Sequence, residues 1–231
     1  LDMAQKNFSI GIDGPAGAGK STIAKLLARK FELEFVDTGA MYRSVALLSH
    51  KGDVALDDHD KLIEIAKNAK FQFKMEENFL NRLTLNGEDA TTQIREPHIS
   101  QLTSKVAQIQ GVRDVLVETQ RKMASTCGVV MEGRDICTVV LPAAEVKIFL
   151  TASPEERAKR RHKELQDSGK ESNYDEVLKE VNERDERDSS RAAAPLKPAE
   201  DSVILSTDGL NIDQVVEEIS KIVKDKVGVE K

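Results

Sequence analysis

Apolar and polar residues alternate from Phe8 to Asp13, the period of a short strand. A glycine-rich octet follows, and then Ile23, Leu26 and Leu27 recur at i, i+3 and i+4, the apolar stripe of a helix. Glu34-Phe35-Val36 predicts a second strand, and Asp37-Thr38-Gly39 a turn into a helix carrying Met41, Tyr42, Val45, Leu47 and Leu48. Leu62, Ile65 and Ala69 share a face of a helix predicted over Asp57 to Ala69. The period then changes. Phe71 and Phe73, like Leu83 and Leu85, alternate with polar residues, and Asn86-Gly87 is a turn pair. An antiparallel piece set between helices predicts an appended lobe outside the main sheet. Glu96 to Ser125 predicts one or two helices, broken near Gly111. Val129-Val130-Met131, Val146 to Leu150 and Val203-Ile204-Leu205 complete the buried strands. Pro154 to Arg191 is helical, strongly charged and almost free of large apolar residues, so it packs lightly and suits a lid. Asn211 caps a last helix with Gln214 three residues on, and Ile212, Val215, Val216, Ile219, Ile222 and Val223 form its stripe.

Strands alternating with helices predict an α/β fold, a parallel β-sheet core flanked by helices. Such sheets bind ligands at the carboxyl ends of their strands. The loops that matter therefore follow Asp13, Val36, Glu132 and Leu150.

The first of these is Gly14-Pro15-Ala16-Gly17-Ala18-Gly19-Lys20-Ser21, which fits the phosphate-binding pattern G-x-x-x-x-G-K-[ST]. Strand, glycine loop and helix stand in the required order. Glycines let backbone N–H groups approach phosphate oxygens, and the helix start adds its own amides and the positive end of its dipole. Lys20 would reach the β- and γ-phosphates, and the Ser21 hydroxyl would ligate Mg²⁺. The chain is thus expected to bind a nucleoside triphosphate.

Composition narrows the class further. A length of 231 residues suits one α/β domain with insertions, and 34 basic against 40 acidic residues give a net charge of −6. That balance argues against a protein that coats nucleic acid. No apolar run has the length of a membrane span and the first residues lack a signal peptide's layout, so no membrane partner and a cytoplasmic location are expected. Cys127 and Cys137 are too few for a zinc site or a disulfide framework. His50, His59, His98 and His162 have no metal-like spacing. Leu1-Asp2 ahead of Met3 looks like a cloning remnant.

Arginines mark a second, anionic substrate. Arg43 lies one turn inside the helix after the second strand, and Gly133-Arg134-Asp135 follows the third. Arg157, Arg160 and Arg161 share one helix face; Arg184, Arg187 and Arg191 share another, with Asp188 one turn from Arg184. On a lone helix such arrays are as often solvated surface, held by weak salt bridges. Beside a phosphate loop they suit the clamping of two phosphorylated substrates.

With Ile12 to Ser21, Asp37 to Arg43, Gly133 to Ile136, Arg184 to Asp188, and Arg191 with Pro195-Leu196 in this order, the chain resembles the bacterial-type cytidylate kinases of the nucleoside monophosphate kinase superfamily. The likeness runs from about Asn7 onward, and the segment Phe71 to Glu88 matches that group's enlarged monophosphate-binding lobe. It implies a single P-loop kinase domain over 7–231, with a core of 7–37, 110–153 and 192–231, a monophosphate lobe at 38–109 and a lid at 154–191. The implied reaction moves the γ-phosphoryl group of ATP to CMP or dCMP with Mg²⁺, in a monomeric enzyme of pyrimidine metabolism. Lys20, Arg134, Arg184 and Arg191 would be catalytic. Gly14, Pro15, Ala16, Gly17, Ala18, Gly19, Lys20, Ser21 and Thr22 would hold ATP, with Arg157, Arg160 and Arg161 over its phosphates. Thr38, Arg43, Arg134 and Arg191 would surround the acceptor phosphate, Arg184 and Asp188 the ribose hydroxyls, and Ser104, Arg113 and Asp135 the cytosine edge. A carboxylate accepting from the cytosine amino group and donors meeting the ring acceptors make chemical sense of that last set.

Two positions depart from the family pattern. Cys137 stands where glycine is usual, which puts the loop around Asp135 in question if positive φ is needed there. Glu132 replaces a frequent Asp. A small buried thiol is the expected state of Cys137. Other readings are a shikimate or adenylate kinase, separated by acceptor preference, and a nucleotide-dependent switch or regulator that turns over neither substrate. The chain has no Asn-Lys-x-Asp guanine motif.

Overall fold

Alternation and helical periodicity become, in chain order, β1 (Ser9–Asp13), α1 (Lys20–Phe31), β2 (Glu34–Asp37), α2 (Thr38–Lys51) and α3 (His59–Asn68). Then come β3 (Phe71–Met75), β4 (Asn81–Leu85), β5 (Glu88–Asp89), α4 (Pro97–Val106) and α5 (Gln110–Ala124). The chain closes with β6 (Val129–Gly133), β7 (Val146–Thr151), α6 (Pro154–Asp167), α7 (Tyr174–Ser189), β8 (Val203–Ser206) and α8 (Ile212–Val227). The computed structural model describes residues 8–78, 80–191 and 194–229, so the expectations for Leu1-Asp2 and Asn7 fall outside it. Among the described residues no helix is long and apolar enough to cross a membrane.

The chain forms two compact units, one of residues up to Glu34 together with those from Gly128 onward, the other of Phe35–Cys127. In the first, β1 pairs in parallel with β6 on one side and β7 on the other, and β7 pairs in parallel with β8. The sheet order is β2-β6-β1-β7-β8, so β1 is central and its carboxyl end lies where chain order reverses, the place such sheets use for ligands. Its core is Ile10, Ile12, Ile23, Leu27, Phe31, Met131, Ile148 and Leu150, with Val215, Ile219 and Val223 of α8. Ile212, expected in that stripe, is 51% exposed at the first position of α8. The Asn211–Gln214 capping box forms as expected.

The second unit holds α2 to α5 and the separate antiparallel sheet β3-β4-β5. Asn86 and Gly87 both take positive φ (52° and 89°), the two-residue turn that right-twisted hairpins favour. The helical break falls at residues 107–109, ahead of Gly111, which is inside α5. Gly111 is there for packing: a Cβ would run into the Ile63 side chain of α3. On α3 itself Leu62 and Ala66 are the buried positions, with Ile65 and Ala69 at the margin.

Candidate active site

β1 ends at Asp13 and the chain turns at once into Gly14, where φ is 149° and a Cβ would collide with the Leu150 carbonyl oxygen of β7. Gly19 caps α1 without offering a side-chain acceptor, which leaves the amides opening the helix to an anion. Lys20 is 5% exposed and donates from Nζ to the Pro15 carbonyl at 2.7 Å. Burial, helped by the Arg134 and Arg184 guanidiniums and opposed by Glu132 and Asp13, pushes its pKa down to about 7. Ser21 is exposed at the end of the loop, and its Oγ donates to Glu132 Oε1. A hydroxyl and a carboxylate held together beside a phosphate loop are hard oxygen ligands, a donor set that fits Mg²⁺.

Arg134 leaves the end of β6 and donates from Nε to Asp188 Oδ2 at 2.9 Å, while Arg191 donates to Oδ1 of the same carboxylate. Asp188, on α7, is only 3% exposed. Burial alone would raise its pKa, but Arg134 and Arg191, with Arg184, outweigh burial and hold the carboxyl below its ordinary value. Two arginines assigned to one phosphate thus share one buried counter-ion. Arg187 is exposed and donates instead to the Glu183 carbonyl at 3.2 Å.

The three arginines of α6 do not act as one face. Arg157 is buried: Nε donates to the Ala152 carbonyl at 2.9 Å, and the guanidinium reaches the Ala16 carbonyl at 3.2 Å and both Asp185 oxygens at 2.9 and 2.5 Å. It ties α6 and α7 to the phosphate loop, and its Cβ occupies the room that glycine leaves at position 17. Arg160 binds Glu156 and both the hydroxyl and carbonyl of Thr207, whereas Arg161 is exposed and paired with Glu164 at 3.3 Å. A cavity of about 410 Å³ opens at this junction, lined in part by Pro15, Pro154, Arg157, Ser206 and Asp208.

Asp13 escaped the sequence reading. Its carboxylate accepts the Ile136 and Cys137 N–H groups, each at 2.7 Å, and burial raises its pKa to about 6 against the pull of those bonds. An acid at the carboxyl end of a strand, directly before the phosphate loop, was the available signal. Cys137 sits in a π-helical turn, Ile136–Val140, and is not among the described non-glycine residues with positive φ, so a side chain is tolerated there. Its thiol lies over Gly11, where a Cβ would come within 2.8 Å of Sγ. Burial and the neighbouring Asp13 charge push that thiol far up, leaving it neutral and unreactive. Asp135 is buried at the start of the same turn.

In the second unit Asp37 has two tasks. Oδ1 accepts the Ala40 N–H at 2.8 Å as the cap of α2, and Oδ2 accepts from Arg43 at 2.9 Å. Gly39 makes room for that guanidinium, since a Cβ would lie 3.1 Å from Arg43 Nη1. Arg43 Nε is buried without a hydrogen-bond partner, a donor still available to an acceptor. Thr38, next to Asp37 in sequence, is buried. Arg113, buried on α5, lies 5.8 Å over the Tyr42 ring and reaches the Ala107 carbonyl at 3.4 Å; Ser104 is half-buried on α4. No group of three or more His, Cys, Asp or Glu side chains suited to a metal ion occurs among the described residues.

The family model described as cytidylate kinase matches residues 10–225. The cytidylate kinase of Desulforamulus reducens is 50% identical over 210 residues, covering 91% of this chain and 94% of that protein. The cytidylate kinase of Caldanaerobacter subterraneus is 45% identical over 222 residues, covering 96% and 97%. An uncharacterized protein from Eubacterium ventriosum, of known crystal structure, is similar in fold, with a TM-score of 0.52 at 14% identity over 95% of this chain and 99% of that one. The matched span contains every residue of the phosphate loop and of the Arg134–Asp188–Arg191 cluster, and the chain belongs to the cytidylate kinase family.

Proposed function

We propose that the chain transfers the γ-phosphoryl group of ATP to CMP or dCMP, giving ADP and CDP or dCDP, as a monomer working on the cytoplasmic pyrimidine nucleotide pool. The observation that carries this reading is the convergence, in one unit, of the phosphate loop with two arginines on one buried carboxylate. A donor triphosphate needs the first and an acceptor phosphate the second. Gly14 to Thr22 hold the ATP phosphates, and the cavity beside Pro15 and Arg157 takes the donor's nucleoside end. Ser21 and Glu132 would hold Mg²⁺, which when bound offsets charge on the β- and γ-phosphates. Arg134 and Arg191, paired on Asp188, take the acceptor phosphate, and the family resemblance adds Thr38 and Arg43 to that role. Asp135, Ser104 and Arg113 read the cytosine edge, and Arg184 with Asp188 the ribose.

No general base is required. A nucleoside monophosphate is largely dianionic at neutral pH and its oxygen is already nucleophilic. What remains is to bring two anions together, and Lys20 and the arginines lower that cost and stabilise the transferring group. The test is ADP release from Mg·ATP with CMP, dCMP, UMP, AMP and shikimate offered separately. Turnover of CMP and dCMP about 10²-fold or more above UMP is expected, since uracil leaves buried polar groups mismatched. Activity confined to another acceptor would discard the cytosine assignments, and ATP binding without any turnover would favour a regulator.

A further inference from the structure

We propose that Asp13 is a positioning residue for the acceptor nucleotide: its carboxylate fixes the turn after β6 and thereby aims Arg134 and Asp135. The inference rests on the reading above, in which those two residues meet the acceptor. Asp13 closes the central strand, in register with Gly133 on one side and Phe149 on the other, so its own main chain is held from both flanks. Gly14 follows, pressed against the Leu150 carbonyl. The carboxylate is therefore anchored before it binds anything.

What it binds is the opening of the π-helical turn Ile136–Val140. The first N–H groups of a helical turn have no partner within it, and buried ones need an acceptor. Asp13 supplies two oxygens: Oδ1 to the Ile136 N–H and Oδ2 to the Cys137 N–H. Both bonds are charge-assisted when the group is ionised. The turn passes this anchorage back to Asp135, whose carbonyl accepts the Val139 and Val140 N–H groups at 2.9 and 3.2 Å. A second contact holds the same turn to β1, with Ile136 and the Cys137 thiol lying on Gly11. Asp13 is 1% exposed and both its oxygens are spent on main chain, so it acts through the loop and not on the substrate.

The test is Asp13→Asn, which keeps the volume but sets an NH₂ against one of the two N–H groups. KM for CMP should rise about 10-fold and the preference for CMP over UMP fall by a similar factor, as displaced binding groups predict. KM for ATP and kcat at saturating CMP should stay within about 3-fold. A merely structural role would move the ATP and CMP parameters together, and that result, or unchanged CMP parameters, overturns the proposal. Hydrogen exchange on the wild-type chain tests it without any variant. The Ile136 and Cys137 amides should be strongly protected with or without CMP, and protection appearing only on CMP addition would refute a preset loop. If the wild-type chain ignores CMP altogether, the functional reading fails while the exchange result still judges the anchor.

Discussion

Asp188→Ala should lower kcat/KM for CMP about 10³-fold, equivalent to about 4 kcal/mol of transition-state stabilisation, while ATP affinity changes by no more than about 3-fold. Removing that carboxylate leaves two guanidiniums, Arg134 and Arg191, without their shared buried counter-ion. Breaking a buried pair from one side costs about 3–5 kcal/mol, because the remaining charges are left uncompensated, and the two arginines then repel each other. Asp188→Asn, neutral but of the same shape, should fall between the extremes. The choice of acceptor separates two roles. If Asp188 served only the 2′-hydroxyl, dCMP turnover would be untouched; if it sets the arginines, dCMP suffers as much as CMP. The stability effect has a definite sign with pH. The folded-state pKa of Asp188 lies below its unfolded value of 3.8, so its contribution is present above that value and lost as pH falls through the lower folded one. Wild-type and variant melting temperatures should therefore differ at neutral pH and converge in acid.

Asp188 also shows where sequence reasoning stops. The phosphate loop was legible because all its parts are local: eight consecutive residues, a strand before them and a helix after. The alternation in β3 and β4 and the turn pair Asn86-Gly87 gave the appended antiparallel sheet for the same reason. That Asp188 is bonded to Arg134, 54 positions away, depends on where α7 runs beside the end of β6, and no spacing rule contains that. Arg157 was hidden similarly. Its i, i+3, i+4 pattern with Arg160 and Arg161 pointed to one shared face over the ATP phosphates, yet its pairing with Asp185 and two main-chain carbonyls puts it inside. Ile204 is the opposite case, an apolar residue within a strand that is 61% exposed because β8 ends the sheet order.

Lys20→Met should reduce kcat about 10³-fold with little loss of fold, the range seen when one charged group is withdrawn from a transferring phosphoryl group. Methionine keeps the length of the side chain and removes only the charge and its hydrogen bond to Pro15. The folded-state pKa of Lys20, about 7, lies below its unfolded value of 10.5. Between those values the unfolded chain carries a proton that the folded chain lacks, so this group's contribution to stability improves as pH rises and is least favourable below pH 7. Lys20→Met should therefore melt no lower than wild type at pH 6, which sets its kinetic defect apart from misfolding. The same shift links nucleotide to proton. At pH 8 the free enzyme holds Lys20 mostly neutral, and arriving phosphates favour the ammonium form. Calorimetric titration with ATP in two buffers of different ionisation enthalpy should then show uptake approaching one proton per ATP at pH 8, falling toward zero at pH 6 and absent in Lys20→Met. Equal, mild losses of ATP affinity and kcat in the variant, or proton uptake that survives the substitution, would show that Lys20 is neither the group that titrates nor the one that meets the transferring phosphate.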